Sequence, residues 1–152
     1  MKIAISIGCY DAFEDLRIST NIIRENWTTN PQPYLICGIT RQIPQNNADL
    51  SLFDEVIRIE TPRTPALKCI DAKDSSFPAA NTRCFHSIIE TGRIALKKDM
   101  DYIVYLNSGS WILQPEAILD VIKLIKDKVI ATRIAIRQKN FVVEDHFLVV
   151  GS

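Results

Sequence analysis

Short apolar runs alternate along this chain with longer segments of helical periodicity, and that alternation restricts the fold more than any other feature. The first run, residues 3–8, is rich in β-branched side chains and is typical of a buried strand. Residues 11–27 carry apolar side chains at three-, four- and seven-residue spacings, which predicts an amphipathic helix. Asp11 with Glu14 three residues later matches a capping box at the start of this helix.

The same periodicities predict the rest of the chain. Further strands are predicted at residues 34–40, 56–59, 102–106, 129–137 and 141–150, and further helices from about 80 to 98 and from 115. The order β-α-β-β-α-β-α-β-β favours an α/β fold with a mainly parallel sheet. The last two strands, joined by a short turn, are expected to form an antiparallel hairpin. Residues 61–78 contain three prolines and few periodic apolar side chains, so we expect a long loop outside the sheet.

The second helix carries a stripe of mostly large apolar residues. Because they share one side of the helix, we expect this stripe to be buried against the sheet. Its members are Phe85, Ile88, Ile89, Gly92, Ala95 and Leu96. Gly92 is expected to let the helix pack closely there.

Charge and cysteine content exclude several functions. Lys plus Arg and Asp plus Glu are both 18 in 152 residues, so no net charge draws the chain to nucleic acid or to an anionic membrane. The four cysteines form no CxxC pair, which excludes zinc-finger spacings, and Cys9 and Cys37 are expected to be reduced core residues. Reduced cysteines indicate a cytoplasmic setting. No 18-residue window is apolar and the N-terminal run is too short for a secretory signal, so we also expect no membrane span.

Three loops are candidates for a ligand site, because ligands of open α/β sheets bind outside the carboxyl ends of the strands. Their candidate residues are Gly8, Cys9, Tyr10 and Asp11 after the first strand, Asn81 and Arg83 at the start of the second helix, and Asn107, Ser108 and Gly109 after strand 102–106. Arg83 and the helix N-terminus both offer positive potential to phosphate oxygens. A plainer interpretation stays open for each loop, namely a turn, a helix cap or a solvated face. Neither GxGxxG nor GxxxxGK[ST] occurs, so neither a dinucleotide fingerprint nor a P-loop is supported.

Together, some of these features resemble a known family. GCYD follows the first strand, Asn81 and Arg83 open a helix that contains Gly92, and DMDYIVYLNSGSWIL precedes a further helix. This pattern resembles the nucleotide-sugar-binding half of a glycosyltransferase with the GT-A fold. The resemblance implies a Rossmann-like core with helices on both faces that binds a UDP- or GDP-sugar. It also implies that residues 8–11 contact the base and ribose of this ligand, and that Arg83 and the turn at 107–110 contact its diphosphate.

The metal-binding motif of that family is altered in this chain. In GT-A enzymes the strand that matches residues 102–106 ends in Asp-x-Asp, whose carboxylates hold Mn²⁺ or Mg²⁺ on the diphosphate. Asn107 and Gly109 stand at those two positions here. We therefore expect no tightly bound metal and no cofactor. The available cations, Arg83, Arg63 and Lys68, are expected to face the diphosphate instead.

Acidic residues late in the sequence are the candidates for catalysis. An inverting transferase needs one carboxylate to take the proton of the acceptor hydroxyl, and Asp145 or Glu144 can serve. The alternative is that both are polar residues of a half-exposed strand, alternating with Val143 and Phe147.

Three functions remain open from the sequence. The first is a glycosyltransferase-like domain that is metal-independent or weakly active, and the second is a catalytically inactive GT-A-like binding or structural module. The third is an unrelated α/β nucleotide-binding protein. We expect a single domain over residues 1–152 and leave open whether the sequence continues past Ser152 and whether a homo-oligomer supplies the acceptor elements.

Overall fold

The computed structural model describes residues 1–40, 50–60, 80–125, 130–137 and 140–151. Within these ranges the elements follow the predicted order. They are β1 (Ile3–Cys9), α1 (Phe13–Asn26), β2 (Tyr34–Ile39), β3 (Glu55–Arg58), α2 (Ala80–Lys97), β4 (Tyr102–Asn107), α3 (Ala117–Ile125), β5 (Ile130–Arg137) and β6 (Asn140–Gly151). The predicted loop at 61–78 lies outside the described residues.

All six strands form one sheet in the order β3-β2-β1-β4-β6-β5. The first four are parallel, whereas β6 runs antiparallel to both β4 and β5. The prediction of a mainly parallel, Rossmann-like α/β sheet with an antiparallel C-terminal hairpin is therefore confirmed. None of the helices in the described ranges has the length and apolar character that crossing a bilayer requires.

The two faces of the sheet differ in side-chain size, and β1 shows the difference most clearly. Its odd positions, Ile3, Ile5, Ile7 and Cys9, join a large core with residues of α1 and α3. Its even positions, Ala4, Ser6 and Gly8, are small and belong to the opposite face, where α2 packs against β1, β2 and β4. Helices thus cover both faces, as predicted, and α2 lies over the face on which β1 carries only small residues.

The side of α2 that lies closest to the sheet carries small buried residues. Ser87, Thr91 and Ala95 are buried, at spacings that place them on one side of the helix. A Cβ atom added to Gly38 in β2 would lie 2.6 Å from the Ser87 Oγ and 2.9 Å from the Thr91 Cγ2. The helix and the sheet therefore approach each other more closely than large side chains would permit.

This packing corrects the predicted orientation of α2. Phe85, Ile89 and Leu96 are 64%, 47% and 58% exposed, although the sequence predicted their burial. Gly92 is not in the contact either, since nothing lies within 4 Å of a Cβ built there. Ala95 is fully buried as predicted, but the residues of α2 that meet Gly38 are the small side chains of Ser87 and Thr91.

The start of α1 also differs from the prediction. The N-cap position belongs to Ala12, and no side chain makes a capping hydrogen bond there, so Asp11 and Glu14 do not form a capping box. Instead, Glu14 pairs with Arg17 one turn along the helix. The predicted apolar stripe of α1 is confirmed, with Leu16, Ile23 and Trp27 buried in the core.

Candidate functional site

A cleft of about 170 Å³ opens at the carboxyl edge of the sheet, where β1 and β4 end. The ends of three strands are tied together there. Gly8 lies opposite both Gly38 of β2 and Asn107 of β4 in the strand register. Beyond the strands, the Ser108 N–H donates to the Gly8 carbonyl at 2.9 Å, and the Thr40 N–H donates to the Cys9 carbonyl at 3.0 Å. The loops after β1 and β4 are consequently neighbours.

The topology of the sheet explains why a cleft forms at this point. From β1 the chain crosses through α1 to β2 on one side, whereas from β3 it crosses through α2 to β4 on the other side. Right-handed crossovers in opposite directions place α1 and α2 on opposite faces. The direction of the crossovers thus reverses between β1 and β4 in the sheet, and such a reversal is where open α/β sheets bind ligands.

Most of the predicted site residues whose side chains are described line this cleft. These are Gly8, Cys9, Tyr10, Arg83, Asn107 and Ser108. Asp11 and Gly109 are exposed and are not among the described lining residues.

Other predicted site residues fall where side chains are not described. Asn81 lies in the first turn of α2, and Glu144 and Asp145 lie in β6, but their side chains are outside the described part of the chain. Arg63 and Lys68 lie outside the described residues altogether. The proposed catalytic roles of Glu144 and Asp145 and the cationic roles of the two loop residues stay predictions.

Tyr10 and Arg83 form the rim of the cleft. The Arg83 guanidinium carbon lies 3.9 Å from the centre of the Tyr10 ring, which is the geometry of a cation–π contact. Arg83 is the fourth residue of α2, so the positive end of the helix dipole adds to its charge. No Asp or Glu occurs among the described lining residues, although the Asp11 and Asp15 carboxylates are near enough to act on the Cys9 thiol.

The Asn107 side chain is held by two groups on the wall of the cleft. The Tyr105 hydroxyl donates to the Asn107 Oδ1 at 3.2 Å, and the Cys84 thiol donates to the same oxygen at 3.8 Å. A carboxamide oxygen that accepts two hydrogen bonds has a defined orientation. Tyr105 can reach this position because Gly8 has no side chain, since a Cβ there would lie 2.2 Å from the tyrosine hydroxyl.

Ser87 forms part of the floor of the cleft. Its side chain is 1% exposed, and its Oγ has no hydrogen-bond partner among the described residues. A buried hydroxyl without a partner costs about 1–3 kcal/mol, so such groups are rare in native structures.

Thr40, Cys84, Ser87 and Tyr105 line the cleft but were not predicted. The sequence spacing could have identified two of them. Ser87 follows Arg83 by four residues and shares its side of the helix, and Tyr105 precedes Asn107 by two and shares its side of the strand.

Cys9, one of the two cysteines among the described lining residues of the cleft, is not a reactive nucleophile. Burial raises the pKa of the Cys9 thiol to about 11, and a hydrogen bond with the Ser108 side chain offsets this only in part. Burial also raises the pKa of Cys37. Both are buried free thiols, as predicted, and both are protonated at neutral pH, where a thiolate would be needed for nucleophilic attack.

The turn after β4 does not fit a divalent cation of the GT-A type. Asn107 offers one neutral oxygen, which already accepts two hydrogen bonds, and Gly109 offers no side chain. Nor do the described residues bring together three His, Cys, Asp or Glu side chains that could hold a metal ion.

Comparison with known proteins adds a likeness of fold. No protein-family model and no curated protein matches the sequence. Among solved structures, CMP:2-keto-3-deoxy-manno-octonic acid synthetase in complex with CTP superposes with a TM-score of 0.52. The match covers 99% of this chain and 74% of that protein, at 7% sequence identity. The chain therefore has an α/β, Rossmann-like fold similar to that of a synthetase whose structure contains a nucleotide, and at this identity the likeness concerns the fold alone.

Proposed function

We propose that this chain binds a nucleotide-diphospho-sugar in the cleft between β1, β4 and α2, and that it transfers the sugar without a divalent metal. One observation carries the proposal: Gly8, Arg83 and Asn107, which are far apart in the sequence, line a single cleft at the switch point of the sheet. A nucleotide ligand also agrees with the likeness to a synthetase whose structure was determined with CTP.

The chemistry of the rim suits a diphosphate. A guanidinium can donate two parallel hydrogen bonds to phosphate oxygens, and the N-terminal turn of α2 adds positive potential. In this proposal Arg83 takes the role that a metal has in GT-A enzymes, and stabilises the charge of the departing nucleoside diphosphate. Asn107 and Ser108 contact the same diphosphate, and residues 8–11 hold the nucleoside. A carboxylate of Glu144 or Asp145 takes the proton of the acceptor hydroxyl.

A second candidate is a binding module without catalysis. It is favoured by the turn after β4, where both carboxylates of the family motif are replaced and Asn107 is engaged by Tyr105 and Cys84. Such a module would bind the nucleotide through the same rim but would not break the sugar–phosphate bond. The two candidates therefore predict the same binding and differ only in turnover.

Isothermal titration calorimetry tests the shared part of both candidates. UDP, GDP, CDP and CTP, followed by UDP- and GDP-sugars, are titrated into the protein with Mn²⁺ and then with EDTA. We expect saturable binding of at least one nucleotide, with the same affinity under both conditions. Arg83→Ala should weaken it by tenfold or more, because a charge-assisted hydrogen bond contributes about 1.5–3 kcal/mol.

Arg93→Ala is the matched control. Arg93 lies on the same helix, pairs with Glu90 and does not line the cleft, so its loss should leave the affinity unchanged. Absence of binding to every nucleotide, or equal losses in the two variants, would refute the proposal. Donor hydrolysis then separates transferase from binding module, and unchanged turnover in Asp145→Asn would exclude Asp145 as the base.

A further inference from the structure

The lining of the cleft divides into an exposed rim and a buried floor. Tyr10 and Arg83 are partly exposed at the rim, whereas Ser87 and Tyr105 are 1% and 2% exposed below it. Ser87 lies one helical turn after Arg83, about 5.4 Å further along α2. Arg83 and Ser87 line the same cleft, so a ligand whose phosphates contact Arg83 can place its adjoining part near Ser87.

The Ser87 hydroxyl has a different environment from the other buried hydroxyls of α2. The Thr91 Oγ1, one turn further on, donates to the Ser87 carbonyl at 2.6 Å, as helical threonines commonly do. Ser87 makes no such bond with any described residue, although it is equally buried. Its Oγ instead lies above the glycine pair Gly8 and Gly38, 3.0 Å and 2.6 Å from the positions where their Cβ atoms would be.

We infer that Ser87 is a specificity-determining residue that binds a ribose hydroxyl of the nucleotide. This inference rests on the proposed function, because it assumes that a nucleotide occupies the cleft. In a nucleotide the ribose adjoins the phosphates and the base lies beyond it. The donor sugar also adjoins the diphosphate, but Ser87 lies beside Gly8, one of the residues that the proposed function assigns to the nucleoside, and this selects the ribose. A serine hydroxyl can pair with a sugar hydroxyl either as the hydrogen-bond donor or as the acceptor.

The glycine pair makes this recognition possible. Any side chain at Gly8 or Gly38 would occupy the space around the Ser87 Oγ. The hydroxyl has no partner among the described residues, and a ligand in the cleft can supply one. A site that carries an unpaired polar group of this kind discriminates against a ligand that lacks the matching hydroxyl.

The test combines a protein variant with modified ligands. The nucleotide that binds most tightly in the calorimetric screen is compared with its 2′-deoxy and 3′-deoxy forms, on the wild type and on Ser87→Ala. We expect Ser87→Ala to bind the ribonucleotide about threefold to tenfold more weakly, in line with one neutral hydrogen bond. One of the two deoxy forms should show the same loss on the wild type and no further loss on the variant.

Ser6→Ala is the control for the removal of a buried hydroxyl. Ser6 lies on the same face of the sheet, is fully buried, and its Oγ also lacks a partner among the described residues, but it does not line the cleft. Its substitution should leave every affinity unchanged. The deoxy nucleotides probe the same hydrogen bond on the unaltered protein, so the test does not depend on the folding of a variant.

The outcomes separate the two proposals. If no nucleotide binds the wild type, the proposed function fails and the role of Ser87 fails with it. If nucleotides bind but Ser87→Ala keeps the wild-type affinity, only the role of Ser87 is refuted. The ribose assignment is also refuted if Ser87→Ala loses affinity equally for the ribonucleotide and both deoxy forms, because the serine would then contact the base or the phosphates.

Discussion

Gly38→Ala tests the close contact between α2 and the sheet. The new Cβ would lie 2.6 Å from the Ser87 Oγ, 2.9 Å from the Thr91 Cγ2 and 3.1 Å from the Ile59 Cδ1. All three neighbours are buried. Thr91 cannot rotate freely, because its hydroxyl donates to the Ser87 carbonyl. The helix must therefore shift away from the sheet, and the substitution should lower stability.

The size of the effect follows from two opposing contributions. Inserting a methyl group into a packed interior costs about 1–3 kcal/mol, and the lower chain entropy of alanine in the unfolded state returns about 0.4–1 kcal/mol. No glycine among the described residues has a positive φ, so backbone strain does not contribute. We expect a net loss of about 1–2 kcal/mol, which lowers the melting temperature by about 2–8 °C for a chain of this size.

Differential scanning calorimetry measures the change, with Gly92→Ala as the control. Gly92 lies in the middle of α2 with nothing within 4 Å of its Cβ position, so alanine there should raise stability by about 0.5–1 kcal/mol. The double variant Gly38→Ala/Ser87→Ala should recover part of the loss, because the nearest clashing atom is removed. A Gly38→Ala protein that melts at or above the wild-type temperature would refute the packing argument.

Two further predictions concern acidic groups. The double variant Asn107→Asp/Gly109→Asp should bind Mn²⁺, which calorimetry measures. The new side chain at position 109 has room, because nothing lies within 4 Å of the Gly109 Cβ position. If the double variant does not bind Mn²⁺, this turn does not correspond to the Asp-x-Asp site. Glu116 accepts hydrogen bonds from the Thr28 and Thr29 N–H groups, each at 2.7 Å. These two bonds hold the pKa of Glu116 below its ordinary value, and the bond from Thr29 has the larger effect. The stability that this lowered pKa provides is fully present above the pKa of Glu116 in the unfolded chain, about 4.3, and is lost as the pH falls through its pKa in the folded protein. Glu116→Gln should therefore lower the melting temperature at pH 7 and lower it much less at pH 3. An equal difference at both pH values would contradict that cause.

The order of the elements was predictable because buried strands and amphipathic helices leave strong local patterns. The β-branched run of β1 and the stripe of α1 depend on residues close in sequence. The orientation of α2 was not predictable in this way. It depends on the small residues at Gly8 and Gly38, which become neighbours only after β1 and β2 pair. A helix with two candidate faces cannot be oriented from its own sequence when the partner surface is unknown.

The same reason limited the prediction of the site. Residues of the rim, such as Tyr10, Arg83 and Asn107, occupy strand ends and a helix start, where topology alone brings them together. Floor residues such as Ser87 and Tyr105 lie inside a helix and a strand. They reach the cleft only because two glycines let α2 and the tyrosine ring approach the backbone of β1 and β2.

The orientation of α2 leaves large apolar side chains in solvent, and the site gives a physical reason for it. The stripe of Phe85, Ile89 and Leu96 lies about 140° around the helix from the buried stripe of small residues, at 100° per residue. Rotating the helix to bury the large stripe would gain about 25 cal/mol for each Å² removed from water. The same rotation would lift α2 off Gly38 and turn Arg83 away from Tyr10, which dismantles both rim and floor. The observed orientation therefore leaves apolar area in solvent and keeps Arg83 against Tyr10 and the small stripe against Gly38, the two contacts that shape the cleft.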